Sequence, residues 1–185
     1  MKYNILKDQT LDHEGITLYR IQALKDFGNV NVKKGDLGGW VEKEENLGQE
    51  GKCWVFEEGK VYGDARVSEG AWVYGYASVH GDARVYENAR VYENASVYGD
   101  TDVSGNAKVS GYARIYGNAK VYEDALVFGN AEVYENANVS RSAKVSGYAR
   151  VYKNSNISGI ASISGNECIS YNTEVTSISV LKIMQ

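Results

Sequence analysis

From Val55 to Val175, every sixth residue is Val or Ile, 21 consecutive positions without a break. Ala stands two residues ahead of most of them, as at Ala65, Ala71, Ala77, Ala83 and Ala89. Gly, Asn or Asp follow two or three residues later. A six-residue period is neither the 3.6 of a helix nor the 2 of a simple strand. It is the period of a short strand plus a corner, repeated. In the unit Ala83, Arg84, Val85, Tyr86, Glu87, Asn88, side chains alternate faces along the strand. Ala83 and Val85 therefore point inward, Arg84 and Tyr86 outward, and Glu87 with Asn88 makes the corner. Gly holds the first corner position in many units, as at Gly63, Gly99 and Gly117, and Asn or Asp the second, as at Asp64, Asp100 and Asn118. These residues best tolerate the positive φ of a sharp turn. A meander of hairpins would need longer strands and would not hold this spacing.

The unit resembles the hexapeptide repeat of left-handed parallel β-helices, over residues 54–176. Ahead of it, Gly38-Gly39-Trp40 and Cys53-Trp54-Val55 resemble the entry segment of YdcK-like bacterial and phage proteins. Those are described as acyltransferases on the fold alone. The resemblance implies an all-β chain, a left-handed parallel β-helix of about seven triangular coils with an N-terminal β cap. Handedness and the three-sided cross-section come from the resemblance. Three sides of six residues place Val61, Val79, Val97, Ile115, Val133, Val151 and Ile169 in one row. The expected division is a cap over 1–52, the β-helix over 53–176 and a C-terminal segment over 177–185.

Residues 1–50 lack the period. Residues 16–24 alternate as a strand does, and 4–6 are expected to pair with it across a turn at 7–15. Short strands are expected at 27–32 and at Trp40 and Val41. Trp54, Phe56, Trp72 and Tyr74 face outward on one side of the first two coils. Clustered exposed aromatics call for a cover, so the N-terminal segment is expected to pack on them. Residues 178–184 are apolar and are expected to cap the top edge or join a second chain, association being favoured.

The sequence Lys-Val-Ser-Gly-Tyr-Ala-Arg occurs at both 108–114 and 144–150, and Gly75-Tyr76-Ala77 precedes it by 36 residues. Duplication of a two-coil block explains this better than selection for a tyrosine comb. It sets Tyr76, Tyr112 and Tyr148 at one corner of alternate coils.

Composition narrows the function. Net charge is −4 and the pI about 5.3, which argues against duplex nucleic-acid binding by bulk charge. The absence of Pro fits a backbone committed to ladders. The first residues lack the apolar run of a signal peptide and no stretch is long enough to span a membrane, so a cytoplasmic protein, in a bacterial or phage-infected cell, is expected. Cys53 and Cys168 lie six coils apart, about 29 Å at one strand spacing per coil, too far for a disulfide. Cys53 takes the inward small slot and Cys168 an outward one.

Two function classes remain. The resemblance implies an acyl-CoA-dependent O- or N-acyltransferase acting as a trimer, with acetyl-CoA as cofactor and a histidine as general base. Only His13 and His80 exist, and the unbroken register leaves no inserted loop to shape a cleft, so His80 is the one catalytic candidate. Two histidines do not supply the three ligands of a zinc site in this fold, and no Cys/His cluster has zinc spacing, so no metal is expected. The second class is an interaction surface. Tyr62, His80, Tyr98, Tyr116, Tyr134 and Tyr152 fall in one outward column, beside Lys60, Arg114, Glu132 and Arg150. Basic residues among aromatics suit a protein partner, a second copy or a small anionic ligand. The expectation is a non-enzymatic structural or interaction protein without a cofactor, one that in a phage could block a host defence component. An ice-binding face would need ranks of Thr, and the repeat has only Thr101, Thr173 and Thr176.

Overall fold

The computed structural model describes residues 1–27 and 31–177. Two-residue strands recur every six residues from Trp54–Val55 to Glu174–Val175 and stack in parallel into three sheets. One sheet runs from Trp54–Val55 to Ser162–Ile163 and another from Arg66–Val67 to Glu174–Val175, seven strands each. The third, of ten strands, runs from Lys60–Val61 to Cys168–Ile169 and continues into the N-terminal cap. Each strand pairs with the residue 18 positions on, Val97 with Ile115 for example. The 18-residue turn of the β-solenoid is thus a property of the structure. Among the described residues the only helical element is a 3-10 turn at Glu44–Asn46. None is a helix long and apolar enough to cross a membrane.

The six-residue file forms the core. Every Val or Ile in it from Val55 to Val151 is fully buried, and so is the Ala column. Thr101 and Ser155 occupy Ala slots and are buried as well. Ser155 Oγ donates to Tyr152 O at 2.9 Å, whereas Thr101 Oγ1 has no partner. Backbone donors reach to the coil above: Ser96 N–H donates to Ala113 O at 3.0 Å and Tyr98 N–H to Ile115 O at 2.9 Å.

The corners take glutamate as well as glycine. Gly occupies the positive-φ position in many coils, as at Gly99 (φ 78°), but Glu57, Glu69, Glu87, Glu93, Glu123 and Glu135 adopt it too, at φ 54–60°. The left-handed region costs a non-glycine residue roughly 1–2 kcal/mol. Four of these glutamates have a compensating bond. Their carboxylates accept the corner N–H of the next coil: Glu57 from Gly75 at 2.8 Å, Glu69 from Glu87 at 3.1 Å, Glu93 from Gly111 at 2.6 Å, and Glu87 from Gly105.

Below the regular coils, β1 (Tyr3–His13), β2 (Ile16–Ala23) and β3 (Leu37–Val41) extend the ten-stranded sheet. β1 and β2 are antiparallel, with an irregularity between Leu6 and Thr10. The turn expected at 7–15 is only Glu14 and Gly15, at φ 54° and 80°. Two consecutive positive φ values are what a two-residue hairpin turn demands, so the strand runs on to His13. β3 then lies parallel to the first coil strand, Val41 against Val61, and Leu47 bridges Val67. These pairs are 20 residues apart instead of 18, because two extra residues separate Leu47 from Val55. The stack therefore begins with an incomplete eighth turn inside the segment expected to be cap alone.

Among the described residues the cap covers one aromatic of the expected four. Trp54 is buried, with the rings of Tyr3 and Phe27 edge-on at 6.2 and 5.3 Å. Phe56, Trp72 and Tyr74 line an open groove with Glu57, and the Arg90 guanidinium lies 4.5 Å from the Trp72 ring. The hairpin prolongs the neighbouring sheet and does not wrap this one, which is why the cover stops at Trp54. Phe27 and Val32 form a single antiparallel bridge. The C-terminal stretch 178–184 lies outside the described residues. Both cysteines are free, Cys53 buried and Cys168 exposed. Lys2, which the sequence does not mark, is buried at the base of the stack. Its Nζ donates to Cys53 O at 2.9 Å, to Cys53 Sγ at 3.0 Å and to Glu50 O at 3.3 Å.

Candidate functional site: the tyrosine face

The ten-stranded sheet presents the column expected from the 18-residue turn. Each ring projects from the residue after an inward Val or Ile, so consecutive coils hold the rings one strand spacing apart. Tyr62 and His80 stack with centroids 4.7 Å apart and 5° between planes. His80 and Tyr98 follow at 5.0 Å, Tyr98 and Tyr116 at 5.1 Å, Tyr116 and Tyr134 at 4.8 Å, and Tyr134 and Tyr152 at 5.0 Å. The hairpin tip closes the lower end: His13 meets the Tyr62 ring edge-on at 5.3 Å. Tyr62 is buried and the other five rings are half-buried.

This packing favours the neutral form of four of the six rings. Burial pushes the Tyr116 phenol up to about 12, helped by the Glu132 carboxylate and by Tyr134 and Tyr98, with Arg114 opposing. Tyr62 and Tyr134 are also raised, chiefly by burial. His80 is lowered, first by burial and then by His13, against the opposing pull of Glu14. The His80 imidazole is thus sandwiched between two phenols, and among the described residues no hydrogen bond fixes either ring nitrogen. A general base needs an oriented nitrogen within reach of the proton it takes.

Beside the column runs the row of strand residues Lys60, Arg114, Glu132 and Arg150, and the structure shows how its acid is used. Arg114 is paired with Glu132 on the next coil, and Arg150 approaches the same carboxylate from above at 3.8 Å. Acid is interleaved with base, so the row is charge-patterned and not uniformly cationic. The sheet that begins at Arg66–Val67 repeats the device: Arg84 Nε lies 2.8 Å from Asp102, and Lys120 Nζ 3.9 Å from it. The 18-residue offset makes both triplets readable in sequence once the acids are counted with the bases. Such exposed pairs order the surface more than they stabilise it.

The third column of the face is the corner that precedes it. Tyr112 and Tyr148 stand there on alternate coils and border a groove of about 460 Å³. Asn94, Ser96, Asn130, Glu132, Arg114 and Arg150 complete its lining. A second surface groove, about 540 Å³, lies among Glu45, Arg66, Arg84, Tyr86 and Asp102 on another sheet. Neither contains a histidine. Among the described residues no three His, Cys, Asp or Glu side chains are grouped to hold a metal ion. The surface can stack, hydrogen-bond and pair charges over a broad area.

Comparison with known proteins bears on this geometry. The family description "YdcK Beta solenoid repeat" matches residues 60–81 and 82–99, two adjoining stretches of the coils described above. Over residues 60–99 the coils are similar to YdcK-type β-solenoid repeats. "Uncharacterized acetyltransferase YdcK" of Escherichia coli (strain K12) is 36% identical over 56 residues. That match covers 30% of this chain and 17% of the relative's length. The likeness is therefore one of repeat type over a small part of the YdcK protein.

Proposed function

We propose that this chain is a non-enzymatic interaction protein that presents the tyrosine face of its β-solenoid to a protein partner or to a second copy of itself. The observation that carries the reading is the state of His80. It is the only histidine in the coils, and it is built into an aromatic stack as one more flat ring. In the row beside the column, Arg114 and Arg150 are both paired with Glu132. Partner binding by such a face uses flat aromatic area and patterned charge, both of which suit protein interfaces. Blocking a host defence component, suggested by the phage members of the similar group, would use the same face.

The second reading is acyl transfer from acetyl-CoA with His80 as base, favoured by the name of the YdcK relative. One pair of measurements separates the two. In the interaction reading, replacing Tyr98, Tyr116 and Tyr134 together by Ser abolishes association while circular dichroism keeps the β signature. Calorimetry with acetyl-CoA then shows no binding to the wild-type chain. Saturable acetyl-CoA binding that His80→Ala removes would establish the enzyme instead.

A further inference from the structure

Tyr76, Tyr112 and Tyr148 are 66, 64 and 65% exposed, far more than the rings of the stacked column. They occupy one corner of alternate coils, and Asn94, Asn130 and Asn166 hold that corner on the coils between. The result is a comb whose teeth stand two strand spacings apart, about 9.6 Å. On the same face, rings one spacing apart stack at 4.7–5.1 Å. Each gap in the comb is therefore the place where one more ring would complete a continuous stack.

We propose that the comb pairs with the comb of a second copy of this chain, about a two-fold axis that lies along the strands and passes between the coils of Tyr112 and Asn130. The proposal rests on the reading of this face as an interaction surface and names its partner. That axis inverts the order of coils and sets each column against its own counterpart, as an isologous interface requires. Three teeth of each copy then enter gaps at Asn94, Asn130 and Asn166 of the other. Six tyrosines interleave at about 4.8 Å, one strand spacing.

Charge selects this register. The strand row beside the comb reads Ser78, Ser96, Arg114, Glu132, Arg150, Cys168 in successive coils. With the axis as placed, Arg114 of each copy meets Glu132 of the other, Arg150 meets Ser96, and Cys168 meets Ser78. A side-by-side arrangement without inversion would set Arg114 against Arg114 and Glu132 against Glu132. Sliding the copies by two coils one way would bring Arg150 against Lys60. Sliding them the other way would leave only four teeth interleaved. A one-coil slide would set tooth against tooth. Like charges in direct apposition suppress the wrong arrangements.

The native Cys168 supplies the test. Cys53 is buried, so a thiol-specific cross-linker reads only the exposed position and any cysteine added near it. The wild-type chain should show a concentration-dependent dimer in sedimentation equilibrium. Ser78→Cys, treated with a short bis-maleimide, should be captured as a covalent dimer through residue 168 of the other copy. Ser78→Cys with Cys168→Ser should not be captured, because equivalent positions lie about five strand spacings apart. Tyr112→Ser with Tyr148→Ser should weaken the dimer by at least roughly tenfold. A chain that stays monomeric, or capture as efficient without Cys168 as with it, overturns the pairing. A chain that stays monomeric removes the second copy from the interaction reading and leaves a different protein partner, which the column variants and acetyl-CoA titration decide separately. A dimer that survives both the comb and the column substitutions overturns both.

Discussion

The cap and the coils are built from the same kind of strand and are held together in different ways. In the coils each contact is repeated: Val on Val, Ala on Ala, backbone on backbone, one strand spacing apart. In the cap each contact occurs once. The single Tyr3 Oη–H is shared between Leu47 O at 2.8 Å and Glu44 O at 2.9 Å. Asn46 Nδ2 donates to Ala65 O at 2.9 Å and to Gly63 O at 3.0 Å. Lys2 satisfies the carbonyls beside Cys53, and Trp54 receives the rings of Tyr3 and Phe27. A repeat array spreads stability over neighbour terms, so a defect in one coil is shared with intact neighbours. A singular network has no spare copy, and the cap meets the stack through it.

Trp54 is the place to break that comparison. Trp54→Ala should cost about 3–5 kcal/mol, the range for a buried large aromatic. The loss should fall unevenly. Hydrogen exchange should show residues 1–27 losing protection while the coils above Val97 keep theirs. Equal loss along the whole chain would mean that cap and coils unfold as one unit.

The same contrast explains what was legible in the sequence. The coils could be read because a strict period assigns each side chain to inside, outside or corner, and 18-residue offsets then name its neighbours. The column from Tyr62 to Tyr152 follows from that arithmetic. Its charge pattern follows too, since Glu132 is offset by 18 from both Arg114 and Arg150. The cap has no period. Nothing in its sequence marks Lys2 as buried or confines the turn to Glu14 and Gly15. The two extra residues between Leu47 and Val55 hide the turn that Val41 and Leu47 begin. Use of the face lies beyond periodicity, because a stacked column serves strand pairing whether or not a partner reads it.

A smaller effect tests the repeated contacts. Glu93 sits at φ 60° and accepts the Gly111 N–H at 2.6 Å. Glu93→Ala keeps the unfavourable φ and discards the acceptor, so it should destabilise by about 1–2 kcal/mol. Glu93→Gly discards the acceptor and the φ penalty together and should be nearly neutral. Chemical denaturation of the two variants decides the matter. Equal losses for both would show that the corner carboxylate, and not the left-handed backbone, sets the cost.

The smallest effect lies where the two regions meet, at the hairpin tip over the tyrosine column. His80 is half-buried, its pKa lowered by burial and by His13, while Glu14 pulls it the other way. A histidine whose folded pKa lies below its unfolded value binds its proton more weakly when folded. As pH falls below about 6.5, the ordinary histidine value, the unfolded chain gains protons that the folded chain resists, and stability declines until the folded pKa is passed. Thermal unfolding should therefore come at a lower temperature at pH 5 than at pH 7. His80→Tyr, which continues the column with a ring that stays neutral, should remove that part of the slope, and Glu14→Gln should steepen it. An unaltered slope in His80→Tyr would mean that the column tolerates the imidazolium and that the acid sensitivity arises elsewhere in the chain.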